Sequence, residues 1–542
     1  MAITHSRHPL AAALVAAISL GLSGLAAAAQ QVEPSFPSEP QSESNRVWIR
    51  YASGQKTGIK SLIQQKVDAL RSAVAANKSA RSARLIGAKT HYEFDNLNAV
   101  VMTLPAEVVA GLRGNKNLIV EEDPLRYPMG EFVPYGVPAV QAPDVVAAGV
   151  DGTGVKVCVI DSGLRASHED FAGLTLSGYA PTGKTWNSDT CGHGTHVAGT
   201  IAAVGNNGKG VIGVSPGKVS LHIVKYFDGP TCGHASFASS LVDAANRCAQ
   251  AGAKVINMSL GGPLSSSLES NAFAKLLSQG VLSVAAAGNS GNSSKSYPAS
   301  YASVLSVAAI DANQAKASFS QFNDAVDIAA PGVDISSTYP VRGTPLTVGA
   351  DSFPTLPLGG SASSTVSGAL VDGGLCTAAG SWSGKIVLCA RGQNTVTEKV
   401  GLVKSGGAVG MVLANNVNDP FPISGRLASS VTISLASVSK ETGQQLLTRV
   451  GQAATLNPTP VYDVDSYAVM SGTSMASPHV AGVAALLFAA KPSATPTQVR
   501  EAITSSALDL GAPGRDNEYG AGMVRAFEAL DRLTSTSASA PN

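Results

Sequence analysis

Charged residues are scarce in this sequence of 542 residues: they make up 14% of it, with 38 Lys and Arg against 37 Asp and Glu. A net charge of +1 gives no electrostatic reason to expect a nucleic acid or an anionic membrane as a partner. Hydrophobic residues make up 44%, and there are 56 glycines, a composition typical of a compact, loop-rich globular protein rather than a disordered or fibrous one. The length corresponds to about three or four domains.

Long apolar runs are also missing beyond the N-terminus, so no later segment reaches the length of a transmembrane helix. At the N-terminus, basic and histidine residues precede an apolar stretch, 10–25, which ends in the alanine run 26–29. This is the pattern of a secretory signal peptide cleaved just before Gln30. A membrane anchor is the alternative, which two glycines in a short apolar core disfavour. The sequence therefore predicts a secreted, extracellular and soluble protein.

Changes of composition divide the remaining chain. One segment alternates strand and helix patterns as strand, helix, strand, helix, strand, which predicts a small α+β unit. A later segment, rich in Gly, Ser and Val and containing "GKIVLCARG" and "GAVGMVLAN", predicts an inserted β-rich domain. We expect a signal peptide (1–29), a linker (30–45), the α+β unit (46–129), the two parts of an α/β domain (130–342 and 460–533), the insert between them (343–459) and a disordered tail (534–542).

Five short apolar runs mark the α/β domain: "VKVCVID" (155–161), "KVINMSLG" (254–261), "VLSVAAAGN" (281–289), "VLSVAAI" (304–310) and "VDIAAPG" (326–332). Strands that are apolar on both faces indicate a parallel sheet covered by helices. Functional sites in such sheets lie at the carboxyl ends of the strands. Asp161, Asn289 and the turn after Leu260 stand at such ends.

Three short motifs contain candidate catalytic residues, and each is weak alone. Asp161 in "VIDSG" follows a strand, where an Asp-Ser-Gly is usually only a turn. His193 and His196 are three residues apart, whereas a helical zinc protease motif needs histidines four apart with a Glu between them. Ser474 in "SGTSMASPH" precedes an apolar helical run, where it could serve only as a helix cap.

Together the three motifs indicate nucleophilic catalysis. A serine hydroxyl becomes a nucleophile when a neutral imidazole accepts its proton and a carboxylate fixes the tautomer of that imidazole. Asp161, His193 and Ser474 supply these groups in the chain order Asp, His, Ser. A serine at the start of a helix also places developing negative charge near the positive end of the helix dipole.

The sequence here resembles the subtilisin-like serine peptidases, or subtilases, over about 130–340 and 460–530. The resemblance rests on "VKVCVIDSG", "GHGTHVAGTIA", "INMSLGG", "AAAGNSG" and "GTSMASPHVAG", which occur in the order of the family. It implies a mostly parallel sheet flanked by helices, and a self-processing, monomeric serine endopeptidase that acts on proteins and peptides through an acyl-enzyme. Two alternatives are a catalytically inactive binding protein of the same fold and an acyl-transfer enzyme, a ligase or esterase.

The resemblance also implies roles for single residues. Asp161 would orient His193, His193 would act as general base and then acid, and Ser474 would attack the peptide carbonyl. The Asn289 side chain and the Ser474 backbone N–H would form the oxyanion hole. Three further polar residues match positions that are structural in the family: Ser471, Ser477 and His479.

Two segments outside the catalytic motifs resemble known subtilase modules. Residues 46–129 resemble the subtilase propeptide, an intramolecular chaperone and inhibitor, and the family register places self-cleavage between Met129 and Gly130. The insert resembles a protease-associated domain, which implies substrate gating or protein binding near the cleft; a purely structural insertion is the alternative.

The resemblance suggests a substrate preference. The S1 pocket would be walled by Ser259, Leu260, Gly261, Ala286 and Gly288, with Ser296 at its floor. Because none of these residues is acidic, we expect an apolar P1 residue such as Met, Leu or Phe rather than Lys or Arg, and Met129 at the processing site agrees with this.

Calcium is the implied structural cofactor. The strong calcium site of the family matches Glu131, Asp170 and the loop "VGNNGKGV", in which Asn207 is the best side-chain candidate. Mixed oxygen ligands of this kind suit calcium. The alternative is a Gly-Asn turn without metal.

Six cysteines, an even number in an exported chain, favour disulfides over metal ligation. The resemblance to secreted subtilases favours a Cys191–Cys232 pair, and a Cys376–Cys389 pair would close a short loop in the insert. Cys158 and Cys248 could be paired or could be free buried thiols.

Overall fold

The structure is a computed structural model that describes residues 45–77, 88–122, 131–232, 236–427 and 430–535. The predicted signal peptide, almost all of the linker, the Met129–Gly130 bond and nearly the whole predicted tail lie outside the described residues. The chain divides into two compact units, and the smaller one comprises residues 34–128.

The smaller unit is an antiparallel sheet with two helices. Its strands lie in the order β2-β3-β1-β4. The sequence analysis does not predict β2. Its sequence, "KTHYEF", is polar and mostly exposed, so it contains no apolar run that would indicate a strand. The elements are β1 (Asn45–Arg50), α1 (Lys56–Asn77), β2 (Lys89–Phe94), β3 (Ala99–Leu104), α2 (Ala106–Arg113) and β4 (Ile119–Glu122).

The larger unit is built on a seven-stranded sheet in which every pair of neighbours is parallel. The five apolar runs of the sequence all form strands in it. The sheet has the order β11-β10-β9-β8-β5-β7-β6, with β5 (Lys156–Asp161), β6 (Leu176–Tyr179), β7 (Ser220–Lys225), β8 (Val255–Met258), β9 (Leu282–Ala286), β10 (Val304–Ile310) and β11 (Ile328–Pro331).

Helices flank this sheet, and one helix lies in each of the connections β6–β7, β7–β8 and β8–β9, as is typical of the α/β fold class. The first five of the unit are α3 (Gly136–Ala139), α4 (Ala142–Ala147), α5 (His193–Ala202), α6 (Ala238–Gln250) and α7 (Ser267–Ser278).

Two paired antiparallel strands, β12 (Ile335–Gly343) and β21 (Pro460–Met470), lead into and out of the inserted region. Between them lies an eight-stranded sheet of order β14-β13-β20-β16-β17-β18-β19-β15. The region is rich in strands, as expected, but it also contains two helices. Its elements are β13 (Leu346–Val348), β14 (Asp351–Phe353), β15 (Leu356–Pro357), β16 (Val366–Asp372), β17 (Ile386–Ala390), α8 (Val396–Ser405), β18 (Gly410–Ala414), β19 (Ser434–Val438), α9 (Lys440–Leu447) and β20 (Ala453–Leu456).

Three helices close the chain: α10 (Thr473–Ala490), α11 (Pro496–Ser505) and α12 (Ala526–Ser535). The helix α10 contacts β8, β9, β10 and β11 on one side and α5 on another. Contrary to the sequence expectation that no segment beyond the N-terminus reaches this length, it is long and apolar enough to cross a membrane. Most of its residues are buried inside the protein, which accounts for that composition.

The six cysteines form three disulfides. Cys191 is bonded to Cys232 and Cys376 to Cys389, the same pairs that the sequence analysis favours. Cys158 on β5 is bonded to Cys248 on α6, so the structure gives the paired alternative for these two residues. The last bond links an interior strand of the sheet to a flanking helix across 90 residues of chain.

Candidate active site

Asp161 and His193 meet at the carboxyl end of β5. Asp161 is the last residue of this strand and is fully buried. His193 is the first residue of α5, after Gly192 with a left-handed φ of 91°. The Nδ1 of His193 lies 2.8 Å from Oδ1 and 3.0 Å from Oδ2 of Asp161. The Ser162 backbone N–H donates to the same carboxylate at 2.7 Å. The carboxylate therefore fixes a tautomer with the proton on Nδ1 and leaves Nε2 available for chemistry.

The pKa of His193 results from two opposing effects. Burial disfavours the charged imidazolium, but the charge and hydrogen bond of Asp161, together with the charge of Asp189, outweigh burial and raise the pKa above its ordinary value. The imidazole is therefore a stronger base than an isolated buried histidine would be.

A second carboxylate holds the loop before α5. Asp189 is buried, and its two oxygens accept hydrogen bonds from the N–H groups of Cys191, Gly192 and Thr195 and from the Thr195 hydroxyl, at 2.7 to 3.1 Å. It satisfies donors at the helix N-terminus as a capping residue does. The sequence analysis missed Asp189, because it precedes the N-cap residue Gly192 and so does not occupy the position where a capping residue is sought.

Ser474 lies in the first turn of α10, and it lines the same cleft as His193. Its hydroxyl donates to the Ser259 carbonyl at 3.2 Å rather than to the imidazole of His193. Catalytic hydrogen bonds are commonly loose or unmade without substrate. A rotation of the hydroxyl about its own side-chain bond would redirect this proton.

A buried polar cluster supports the first turn of α10. The Ser259 hydroxyl donates to the Ser474 carbonyl at 2.8 Å and lies 3.0 Å from the Ser477 hydroxyl. Ser477 in turn donates to Asn257 Oδ1 at 2.9 Å, and Asn257 Nδ2 donates to Ser259 at 3.0 Å. Because buried hydrogen-bonded groups lose free energy when one partner is removed, this cluster fixes α10 against β8.

The Asn289 amide is oriented by the residue before Ser474. Its Oδ1 accepts from both the backbone N–H and the hydroxyl of Thr473, each at 2.8 Å. Because Oδ1 accepts these two bonds, Nδ2 remains available as a donor. It lies beside Gly472, since a Cβ added to that glycine would be 3.5 Å from Asn289 Nδ2. The sequence analysis did not assign Thr473, because a threonine beside a serine gives no signal of its own.

The cleft around these groups has a volume of about 580 Å³. All six residues predicted for the S1 pocket line it: Ser259, Leu260, Gly261, Ala286, Gly288 and Ser296. Gln321 and Lys295 are among the lining residues that were not predicted. Gln321 packs against Gly288 so closely that a Cβ there would lie 1.8 Å from Gln321 Oε1, and Lys295 pairs with Asp324 at 2.9 Å. No acidic side chain is among the described residues that line the cleft.

The residues expected for calcium also come together. The Asn207 backbone N–H donates to Glu131 Oε1 at 3.1 Å, and Asn207 Nδ2 donates to Asp170 Oδ1 at 3.0 Å. Both carboxylates are buried, at 8% and 0% exposure. The described residues contain no group of three or more His, Cys, Asp or Glu side chains placed to hold a metal. Two buried carboxylates beside an amide loop nevertheless form an all-oxygen donor set, which fits calcium and not a softer metal.

Two histidines near the site do not take part in its chemistry. His196 is buried and its Nε2 lies 3.0 Å from the Ile335 carbonyl and 3.1 Å from that of Ala468. Burial, with a smaller effect of His193, lowers the pKa of His196 to about 3, and burial lowers that of His479 to about 4. Both are neutral at physiological pH.

Comparisons with known proteins show what the chain is similar to. The model of the subtilase family matches residues 152–368 and 409–522, and a PA domain model matches 366–446. Subtilisin amylosacchariticus of Bacillus subtilis subsp. amylosacchariticus is 36% identical over 296 residues, which cover 53% of this chain and 76% of that protein. Subtilisin DY of Bacillus licheniformis is 41% identical over 214 residues, 39% of this chain and 76% of that protein.

Among solved structures, the chain is similar to the psychrophilic subtilisin-like protease Apa1 from the Antarctic psychrotroph Pseudoalteromonas sp. AS-11. The two are 35% identical, with a TM-score of 0.56, and the match covers 76% of this chain and all of the other.

The geometry predicts how His193 titrates. In a Ser474→Ala protein, the imidazole should titrate above the ordinary histidine value of about 6.5, because Asp161 stabilises the charged form. Asp161→Asn should shift that titration to lower pH, since burial then acts almost unopposed. Nuclear magnetic resonance of the histidine ring protons measures both values. His196 and His479 are internal controls that should not titrate above about pH 5. A titration of His193 that Asp161→Asn leaves unmoved would contradict the assignment.

Proposed function

The chain belongs to the subtilase family and is a subtilisin-like serine endopeptidase, and on that premise we propose that Asp161, His193 and Ser474 are its catalytic triad. The observation that supports this most is the contact of 2.8 Å between His193 Nδ1 and the buried Asp161 carboxylate, beside a cleft that Ser474 lines. In this proposal Asn289 completes the site as the oxyanion donor.

The proposed reaction follows from these positions. The Ser474 hydroxyl turns from the Ser259 carbonyl to His193 and attacks the peptide carbonyl while His193 Nε2 takes its proton. Asp161 stabilises the imidazolium without being protonated itself. Asn289 Nδ2 and the Ser474 backbone N–H hold the carbonyl oxygen as it gains charge. His193 then protonates the leaving amine, and water, activated by the same imidazole, releases the acyl group.

We also infer that the protein is exported and matures by its own activity. In this proposal residues 1–29 direct secretion, and residues 46–129 form a propeptide that assists folding, inhibits the cleft, and is cut off between Met129 and Gly130. The four-stranded unit described above is a compact body with its own buried core, which supports its assignment as a separate propeptide domain.

The cleft favours an apolar P1 residue. Its walls are short and uncharged near Ala286 and Gly288, so a Met, Leu or Phe side chain would bury apolar surface there. Lys295 also lines the cleft, and its positive charge would disfavour a basic P1 residue.

Calcium is proposed as a structural cofactor held by Glu131, Asp170 and the loop of Asn207. A bound cation would neutralise the two buried carboxylates and supply cross-linking between the first described segment of the larger unit and the loop after α5. The proposed ion takes no part in the chemical steps.

The intact mass of the secreted protein tests the triad. Wild-type protein should begin at Gly130, whereas Ser474→Ala should keep its propeptide and lose about 10⁶ in kcat, the magnitude known for subtilisin. Ser505→Ala, on α11 and outside the cleft, should behave as wild type. If Ser474→Ala were processed like wild type, another protease would be responsible for maturation; if it kept its activity, the proposed nucleophile would be wrong.

Peptide profiling tests the S1 pocket. Substrates with Leu, Met or Phe at P1 should exceed those with Lys or Arg in kcat/KM by more than about tenfold, because the cleft has no acidic side chain to pair with the charge of a buried basic residue. Lys295→Met should raise turnover of basic P1 substrates about fivefold by removing one nearby positive charge. Asp324→Asn, which leaves that charge in place, should not raise it. Cleavage mainly after basic residues would refute the proposed preference.

Calcium removal tests the metal proposal. In the Ser474→Ala protein, which cannot digest itself, a calcium chelator should lower the free energy of unfolding by about 2–3 kcal/mol relative to calcium at about 100 times its Kd. Asp170→Asn should abolish that difference, whereas Asp243→Asn, at an exposed acid on α6, should retain it. Denaturant unfolding that does not respond to the chelator would argue for a turn without metal.

A further inference from the structure

The segment just before Ser474 is held by a neighbouring loop. The Asp334 backbone N–H donates to the Ser471 hydroxyl at 2.9 Å, and that hydroxyl donates back to Asp334 Oδ1 at 3.2 Å. The Gly472 N–H donates to the Gly332 carbonyl at 2.8 Å. To make these bonds Asp334 adopts a left-handed φ of 56°, which is unusual for a residue with a side chain, although Asp is among the types that adopt it more readily. These hydrogen bonds and the backbone conformation of Asp334 therefore hold the loop in one position against residues 471 and 472.

An arginine of the inserted region bonds to the same oxygen. Arg391 follows β17, and its Nη2 lies 2.6 Å from Asp334 Oδ1. Within the insert, Arg391 Nη1 donates to the buried Asn415 Oδ1 at 3.2 Å, and the Arg391 backbone N–H donates to the Ala414 carbonyl at 2.9 Å. The guanidinium is thus anchored on the insert and reaches one residue of the catalytic region.

The environment makes this ion pair stronger than a surface pair. The Arg391 side chain is 25% exposed and that of Asp334 is 22% exposed, so both are partly shielded from water and salt. Another carboxylate, that of Asp419 in the insert, lies nearby. It accepts a hydrogen bond from the hydroxyl of Ser336, which is two residues after Asp334 in the chain. Burial, and next to it the charge of Asp334, raise the pKa of Asp419. Removal of Arg391 would leave the charge of Asp334 without its ion-pair partner near a second acid.

The bonds continue from this pair to the oxyanion donor. Ser471 accepts from Asp334, and two residues further on Thr473 holds Asn289 Oδ1 with both its N–H and its hydroxyl. A shift of residues 471–473 would therefore move Asn289 Nδ2 and the start of α10 together. Oxyanion stabilisation depends on donor positions within a few tenths of an ångström.

We propose that Arg391 is a positioning residue for catalysis: through Asp334 and Ser471 it holds the segment that presents Ser474 and orients Asn289. The insert thereby supports the turnover step and not the binding of substrate. This inference rests on the proposed roles of Ser474 and Asn289. It gives the insert a role distinct from both gating and inert insertion.

Steady-state kinetics on a small peptide substrate test this proposal. Arg391→Ala should lower kcat about fivefold with KM unchanged, since a partly buried ion pair is worth about 1 kcal/mol. Arg391→Lys should recover most of the loss, because it restores the positive charge beside Asp334. The matched control is Arg449→Ala, which removes an arginine of the insert that pairs with Asp351 at 2.7 Å, also in the insert, and it should leave both constants unchanged.

A double-mutant cycle makes the test specific to the pair. Asp334→Asn keeps a side chain that tolerates the left-handed backbone and removes only the charge, so it should lower kcat as Arg391→Ala does. The double variant should lose no more than either single one. An unchanged kcat in Asp334→Asn, additive losses, or a rise in KM alone would overturn the proposal.

A folding failure of Arg391→Ala and a failure of the proposed function would give different results. If Arg391→Ala failed to fold, as judged by its circular dichroism, Asp334→Asn alone would decide, and an unchanged kcat there would overturn the proposal. If instead Ser474→Ala retained activity, the proposed function itself would fail, whatever the Arg391 variants showed.

Discussion

The burial of α10 against the parallel sheet is the constraint on which the site depends. From Met475 to Phe488 every residue of this helix is buried, and it lies across β8, β9, β10 and β11. A core packed at that density permits little sliding, so the first turn of the helix has one position relative to the strand ends. Ser474 in that turn, Asp161 at the end of β5 and Asn289 after β9 are therefore brought to one edge by packing, before any polar contact is made.

Polar contacts then set the orientation of each group. A protein with so few charged residues still buries Asp161 and Asp189, and a buried carboxylate is costly unless donors surround it. Asp161 takes the Ser162 N–H and the His193 ring, and Asp189 takes four donors at the start of α5. Both carboxylates stand near the N-terminus of the helix that bears His193, where the helix dipole favours negative charge.

The sequence predicts well those features that leave a local signal. The continuous apolar runs become central strands, and the motifs around Asp161, His193 and Ser474 come together at one cleft. The strands β2, β6 and β7 carry polar residues or are short, so pattern alone does not indicate them. Thr473 and Lys295 act through partners distant in sequence, Asn289 and Asp324. Such partnerships exist only in the folded chain, and no spacing rule could supply them.

The place of the insert decides how it can influence catalysis. Its two supporting strands are fixed to α5: His196 Nε2 lies within 3.1 Å of the Ile335 and Ala468 carbonyls, one on each strand. The approach is so close that a Cβ on Gly199 would lie 2.2 Å from the Thr338 hydroxyl. These close contacts couple the two strands to the helix of His193, so that they resist displacement relative to one another. The insert therefore acts through its direct contacts with the catalytic region, among which the Arg391–Asp334 ion pair is linked to Ser471 by the hydrogen bonds between Asp334 and that serine.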